Sequence, residues 1–283
     1  MKNSQFAVLI ASVLALFVSS AVAQERIVSI GGDVTEILFA IGEGEKVVAT
    51  DDDSVHPKAA LDAPKVGYVR RLSAEGVLSA EPDLILISGA AGPPAVMDQL
   101  RASGVRLVEM EEEYTVDAIL RKVATVSGIL EREKAGAALM NEIEADWAEA
   151  RSEIARYKSE PTVLFFAALS DGAPRAAGTE TAAHGVIEML GARNAFDSQT
   201  GYKNLSLEAA VAANPDVIFV MNHHAARLGG IEAVRAHPAL RLTDAAKNNR
   251  ILIVDKVTVM QFGPRTPRAV LELARDVSAA LAD

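Results

Sequence analysis

Two places in this 283-residue chain gather side chains suited to chemistry. The first is Tyr68, followed closely by Arg70 and Arg71. A phenolate oxygen is a ligand for ferric iron. A free phenol titrates near about 10, so it serves at neutral pH only where a cation or the metal itself stabilises the anion. The run 66–70 reads as extended ahead of a helix cap at Ser73, so Tyr68 and Arg70 should face the same side. A guanidinium there could stabilise the phenolate or grip a ligand carboxylate in a bidentate contact. On residue types alone, a tyrosine packed at a loop explains Tyr68 as well, and Tyr202 is read that way at the similar place in the second half.

The second place is His223, His224 and Arg227, just beyond the apolar run 217–221. Open α/β sheets put their ligands at the carboxyl ends of strands, and imidazole binds iron and zinc. Adjacent residues seldom point at one ion and no third ligand stands at helical spacing, so a solvated polar loop fits the pair equally. Arg227 precedes Leu228-Gly229-Gly230, a flexible turn from which a guanidinium could reach a facing surface or simply meet water. His184 reads as a helix-surface residue, Arg265 as structural between two prolines, and His56 and His237 carry no assigned role. There is no cysteine, no Gly-x-Ser-x-Gly elbow, no phosphate loop and no His-Glu-x-x-His, so no catalytic residue is assigned and the chain is not read as an enzyme.

The elements that must position these groups come in two copies. Residues Arg71 to Ile85 overlay Asn204 to Ile218 without a gap at an offset of 133, repeating Leu, Ser, Glu, Ala, Pro, Asp and Ile. In each copy a serine caps a short helix, and a glutamate (Glu75 or Glu208) sits in its first turn where the dipole favours negative charge. Pro-Asp then leads into a buried strand, 84–88 or 217–221. Further strands are expected at 26–30, 47–50, 105–110, 162–167 and 251–254, with helices at 35–41, 181–190 and 267–282. Strands alternating with helices predict an α/β fold of two Rossmann-like lobes, each with a central parallel sheet. Residues 117–158 show helical apolar spacing, with Gly128 and Gly136 as candidate breaks. Their second half reads as one long helix joining the lobes across a cleft. The expected units are a leader at 1–23, lobes at 24–116 and 159–283, and the linking helix at 117–158.

The leader combines Lys2, an apolar run 6–18 and Ala21-Val22-Ala23, the pattern of a cleavable signal peptide. With no cysteine to carry a lipid, the product is expected free in a periplasm. Lys plus Arg number 28 against 38 Asp plus Glu; without Lys2 the balance is 27 − 38 = −11. That argues against nucleic acid as a partner, and an anionic ligand would need locally gathered arginines.

The chain resembles the helix-linked class of periplasmic binding proteins, which serve importers of haem, siderophores and cobalamin. The resemblance rests on Arg26-Ile27-Val28-Ser29-Ile30 with Thr35-Glu36-Ile37, the two Leu-Ser-x-Glu units and the linking helix. Gly67 to Gly76 and Phe262-Gly263-Pro264-Arg265-Thr266-Pro267 are similar to its haem-binding branch. The resemblance implies haem as transported ligand, Tyr68 as its axial ligand, and Arg70, Arg71, Arg227, His223 and His224 in support. It also implies that Glu75 and Glu208 dock a monomeric receptor onto the permease dimer of an ABC importer with its ATPase subunits, downstream of an outer-membrane haem receptor. Siderophore and cobalamin receptors share the fold and remain the alternative; a metal-ion receptor would show dispersed His and carboxylate ligands. Relatives with two stacked haems carry a second-lobe histidine near the equivalent of residues 169–172. None stands here, which favours one haem unless His184, His223 or His224 substitutes.

Overall fold

The computed structural model describes residues 25–169, 174–255 and 260–282; the leader 1–23 lies outside the described residues. The first sheet is wholly parallel. It comprises β1 (Ile27–Ile30), β2 (Val47–Thr50), β3 (Leu84–Ile87) and β4 (Arg106–Glu109) in the order β2-β1-β3-β4. Its two central strands, β1 and β3, are buried at every residue. That is why they read as continuous apolar runs rather than as an alternation. Helices α1 (Gly32–Ala40), α2 (Ala74–Leu78) and α3 (Pro94–Ala102) complete this lobe.

The second sheet departs from expectation. Strands β5 (Thr162–Ala168), β9 (Val217–Met221) and β10 (Ile251–Val254) are parallel, as is the short β7 (Arg193–Asn194) beside β5. Strands β6 (Arg175–Ala177) and β8 (Tyr202–Asn204) extend the sheet antiparallel, so it is mixed. Three-residue strands are too short to show a period, and Arg175, Lys203 and Asn204 are exposed. Helices α6 (Ala182–Met189), α7 (Leu207–Ala213), α8 (Asn222–Leu228), α9 (Ile231–Ala236) and α10 (Asp244–Lys247) surround this sheet.

The repeat is a structural duplication. Ser73 Oγ accepts the Gly76 N–H at 3.3 Å to start α2, and Ser206 Oγ accepts the Ala209 N–H at 3.1 Å to start α7. Glu81 and Asn214 end the units with φ of 49° and 33°. Asp83 then accepts the Arg26 N–H at 2.9 Å, and Asp216 the Thr162 N–H at 2.7 Å. The aspartate backbone N–H returns a bond to the same residue's carbonyl, 2.9 Å in each lobe. The Pro-Asp step thus registers β3 against β1 and β9 against β5.

Two helices occupy the linking region, α4 (Val116–Ile129) and α5 (Glu133–Ile154). The break falls at Leu130 to Arg132, where Glu131 takes φ 57°, and at neither glycine. Gly136 lies inside α5, and a Cβ there would stand 2.2 Å from Ser127 Oγ, so it lets α4 and α5 pack closely. The long helix α5 buries Gly136, Leu139, Ile143 and Ala150, a stripe at helical spacing. It packs along α4 and the C-terminal helix α11 (Thr266–Ala282).

A second crossing reinforces this link. The segment from Met260 to Arg265, ahead of α11, returns to the first lobe. Gln261 Nε2 donates to the Asp53 carbonyl at 2.8 Å, and Arg265 makes a bidentate contact with the buried Glu36 at 3.0 and 2.5 Å. Lys122 of α4 reaches Asp33 of α1 at 2.5 Å and the Phe262 carbonyl at 3.4 Å. Among the described residues no helix is long and apolar enough to cross a membrane.

Candidate functional site

Tyr68 opens a tight turn. Residues Val69–Arg71 form one turn of 3-10 helix, closed by the Arg71 N–H on the Tyr68 carbonyl at 2.7 Å. Gly92 pins the turn from outside, donating to the Val69 carbonyl and accepting the Leu72 N–H, both at 3.0 Å. The extended run expected for 66–70 therefore stops at Tyr68, so the alternation of an extended strand does not carry through to Arg70. Arg71 turns back instead, its guanidinium carbon 5.7 Å from the centre of the Tyr68 ring. The ring is half-buried and packs on the first-lobe apolar cluster that includes Val69, Leu72 and Val77. Arg70 is exposed and lies 3.5 Å from Glu112.

Glu112 belongs to the loop that follows β4 at the carboxyl edge of the first sheet. Its Oε1 accepts the Tyr114 hydroxyl at 2.5 Å. Burial, reinforced by this bond, pushes the Tyr114 phenol well above its usual range, so it stays protonated and donates. The Tyr114 ring tilts at 5.1 Å against Phe262 of the Met260 to Arg265 segment, which straps the second lobe to the first. A Cβ on Gly185 of α6 would stand 2.4 Å from Tyr114 Cβ, so second-lobe backbone presses directly on this residue. Tyr202 of β8 lies within electrostatic reach of Arg70 and Glu112. Burial raises its phenol, while the Ala183 N–H and the Thr181 hydroxyl pull the other way. The loop after β4 of the first lobe therefore meets α6 and β8 of the second lobe around Arg70, Glu112, Tyr114 and Tyr202.

The second-lobe candidates sit on a helix, where a loop was expected. His223, His224 and Arg227 belong to α8, which begins directly after β9. The His224 Nε2 lies 2.8 Å from the Ala167 carbonyl on β5. A carbonyl only accepts, so Nε2 carries the proton and Nδ1 the lone pair. Burial, and then the Arg227 charge, hold this imidazole below its usual range and neutral, although the Ala167 bond opposes them. Its Nδ1 is buried without a hydrogen-bond partner. His223 is exposed, its ring 4.1 Å from that of His224, and Arg227 is exposed in the last turn of α8. Gly229 and Gly230 follow with φ of 101° and 104°. His184 lies on α6, 3.3 Å from Asn194 Nδ2 and 3.4 Å from Glu188. Of residues 169–172, near which the resemblance would place a second-haem histidine, 170–172 fall outside the described residues.

Glu75 and Glu208 are exposed in equivalent first turns. The Glu208 carboxyl is held below its usual range by its own backbone N–H and by Ser206. A cavity of about 700 Å³ lies away from all these residues, between α1, α5, the start of α11 and His56-Pro57. Its charges are largely committed to one another through Arg265–Glu36 and Arg268–Asp146, so the carboxyl-edge cluster is the better candidate for ligand recognition. Among the described residues no group of three or more His, Cys, Asp or Glu could hold a metal ion. Sequence reasoning passed over Glu112 and Tyr114, although an acidic run ending in tyrosine directly after a strand was a visible signal.

Two α/β lobes that meet beside the carboxyl edge of the first sheet, joined by a long helix, have the build of a solute receptor. The chain matches the periplasmic binding protein family over residues 27–258 and belongs to it. It is a solute-binding protein of the ABC importer type. The solved structure of the periplasmic heme-binding protein BhuT in complex with two hemes is 38% identical, with a TM-score of 0.87, covering 91% of this chain and 99% of that one. The uncharacterised ABC transporter substrate-binding lipoprotein YvrC of Bacillus subtilis is 26% identical, covering 89% of this chain and 80% of its own length. The vitamin B12-binding protein of Vibrio cholerae is 28% identical, covering 70% and 71%.

Proposed function

We propose that this chain is a periplasmic haem receptor. It takes haem between its lobes, binds the ferric iron through the Tyr68 phenolate, and passes the haem to an ABC importer. The observation that supports this reading is Tyr68 itself, half-buried on a first-lobe turn with the Arg71 guanidinium over its ring, two residues before Arg70, which lies within reach of second-lobe Tyr202. Iron supplies the Lewis acid that holds the phenolate, while Arg71 supplies a fixed positive charge beside it. The likeness to BhuT at 38% identity supports haem over cobalamin, whose Vibrio receptor stands at 28%. Residues 24–116 and 159–283 act as the two jaws and 117–158 as their brace. Glu75 and Glu208 serve as two docking handles for the two-fold permease, being exposed at equivalent places in duplicated units.

The test is ATP hydrolysis by the cognate importer reconstituted in liposomes. The purified protein with hemin should stimulate hydrolysis, and with cyanocobalamin it should not. Glu75→Lys with Glu208→Lys should remove most of the stimulation while hemin binding in solution stays within about twofold, because opposite-charge docking acts on encounter. Stimulation by cyanocobalamin alone would replace haem with cobalamin as the ligand. Loss of hemin binding in the double variant would place these glutamates in the pocket.

A further inference from the structure

Four glutamates border the end of β4, and three of them are paired with exposed arginines of α3 and α4. Glu109 holds Arg101 through two bonds of 2.7 Å. Arg121 pairs with Glu111 at 3.6 Å and also with Glu113. Glu112 differs, because its partner Arg70 belongs to the turn that carries Tyr68. The two contacts at its Oε1 are unequal. Tyr114 donates to it at 2.5 Å, while the Arg70 guanidinium stands off at 3.5 Å and is 57% exposed. Tyr114 cannot easily relax toward Arg70, since Phe262 and Gly185 of the second lobe fix its ring. Arg70 is thus loosely held by a carboxylate that is itself drawn toward another donor.

Resting on the haem reading above, we infer that Glu112 is a stand-in for a ligand carboxylate. It occupies Arg70 in the empty receptor and yields it to a propionate when haem enters, while Tyr114 holds Glu112 back. Without such an exchange, an incoming dianionic porphyrin would meet the Glu112 carboxylate at short range. With it, one guanidinium–carboxylate contact replaces another, and the displaced Glu112 keeps the Tyr114 hydroxyl as its hydrogen-bond donor. The device favours tetrapyrroles with free carboxylates over those whose side chains are amides. It also gives opposite signs to two neighbouring substitutions, which a generic effect of packing or net charge would not.

The test is equilibrium titration with hemin and with hemin dimethyl ester, which has the same ring and iron but no free carboxylate. Glu112→Gln removes the competitor and should tighten hemin by about two- to fivefold, the range expected of an exposed ion pair. Tyr114→Phe keeps the ring but releases Glu112 to close on Arg70, and should weaken hemin by about twofold. The double variant should behave like Glu112→Gln, because Tyr114 acts through Glu112. Binding of the dimethyl ester should not respond to Glu112→Gln. Equal tightening of hemin and its ester, or no tightening of hemin, would overturn the exchange while leaving the haem reading standing. A wild-type protein that binds no hemin would sink both.

Discussion

A phenol loses its proton near neutral pH only where positive charge stands close, and the interaction falls with distance, so the nearest cation counts most. Arg71 is 5.7 Å from the Tyr68 ring centre, whereas Arg70 is engaged with Glu112. On the haem reading proposed above, the two arginines would divide the work, Arg71 favouring the phenolate and Arg70 receiving a ligand carboxylate. A unit charge about 6 Å away across a partly wet surface is worth on the order of 1 kcal/mol. Arg71→Ala should thus weaken hemin and hemin dimethyl ester alike, by about fivefold, because the cation beside the phenolate is lost. Arg70→Ala should weaken hemin but not its ester, which has no carboxylate for it to receive. An equilibrium titration in which the two variants show the opposite pattern would reverse these roles. Residue types pointed to this turn, but their directions were not legible. The turn is pinned by Gly92, 24 positions beyond Tyr68, and no local pattern announces such a contact.

At the scale of elements, local chemistry was legible and long-range packing was not. Ser73 and Ser206 as caps, and Pro-Asp before each buried strand, act within a few residues, and both copies form as their spacing implies. The break between α4 and α5 was placed at the wrong residues because Gly136 looks like a breaker in isolation. Its role is contact between helices, set by Ser127 on a neighbouring helix. The strap before α11 was likewise hidden, since its charged partners lie 140 or more positions away in sequence. Lys122 and Asp33 are 7% and 3% exposed, so each needs the other. Lys122→Met should leave a buried carboxylate without its cation and destabilise the protein by about 3–5 kcal/mol. The double variant Lys122→Met with Asp33→Leu should recover most of that loss. Thermal or urea unfolding reads both; an unchanged midpoint in the single variant would show that this buried pair does not bear on stability.

For the whole molecule, the two-lobed α/β architecture follows from alternating strands and helices, and the duplication of one unit explains why the lobes resemble each other. What the duplication does not share is the set of polar side chains proposed to meet the ligand. Tyr68 and Arg71 stand on a turn of the first lobe, while the second lobe presents α8 with its exposed His223 and Arg227. The lobes are held by α5 and again by the strap, so capture should involve small adjustments of the carboxyl-edge loops rather than wide closure. The account stands or falls on a tyrosinate–iron bond at the meeting of the lobes. The most direct measurement is the absorption spectrum of the purified protein with one equivalent of ferric hemin, beside the same spectrum for Tyr68→Phe. The wild type should show the charge-transfer band of a phenolate-bound ferric haem, and the variant, which keeps the ring and loses only the oxygen, should lose that band and bind more weakly. An identical spectrum in the two proteins would contradict the account.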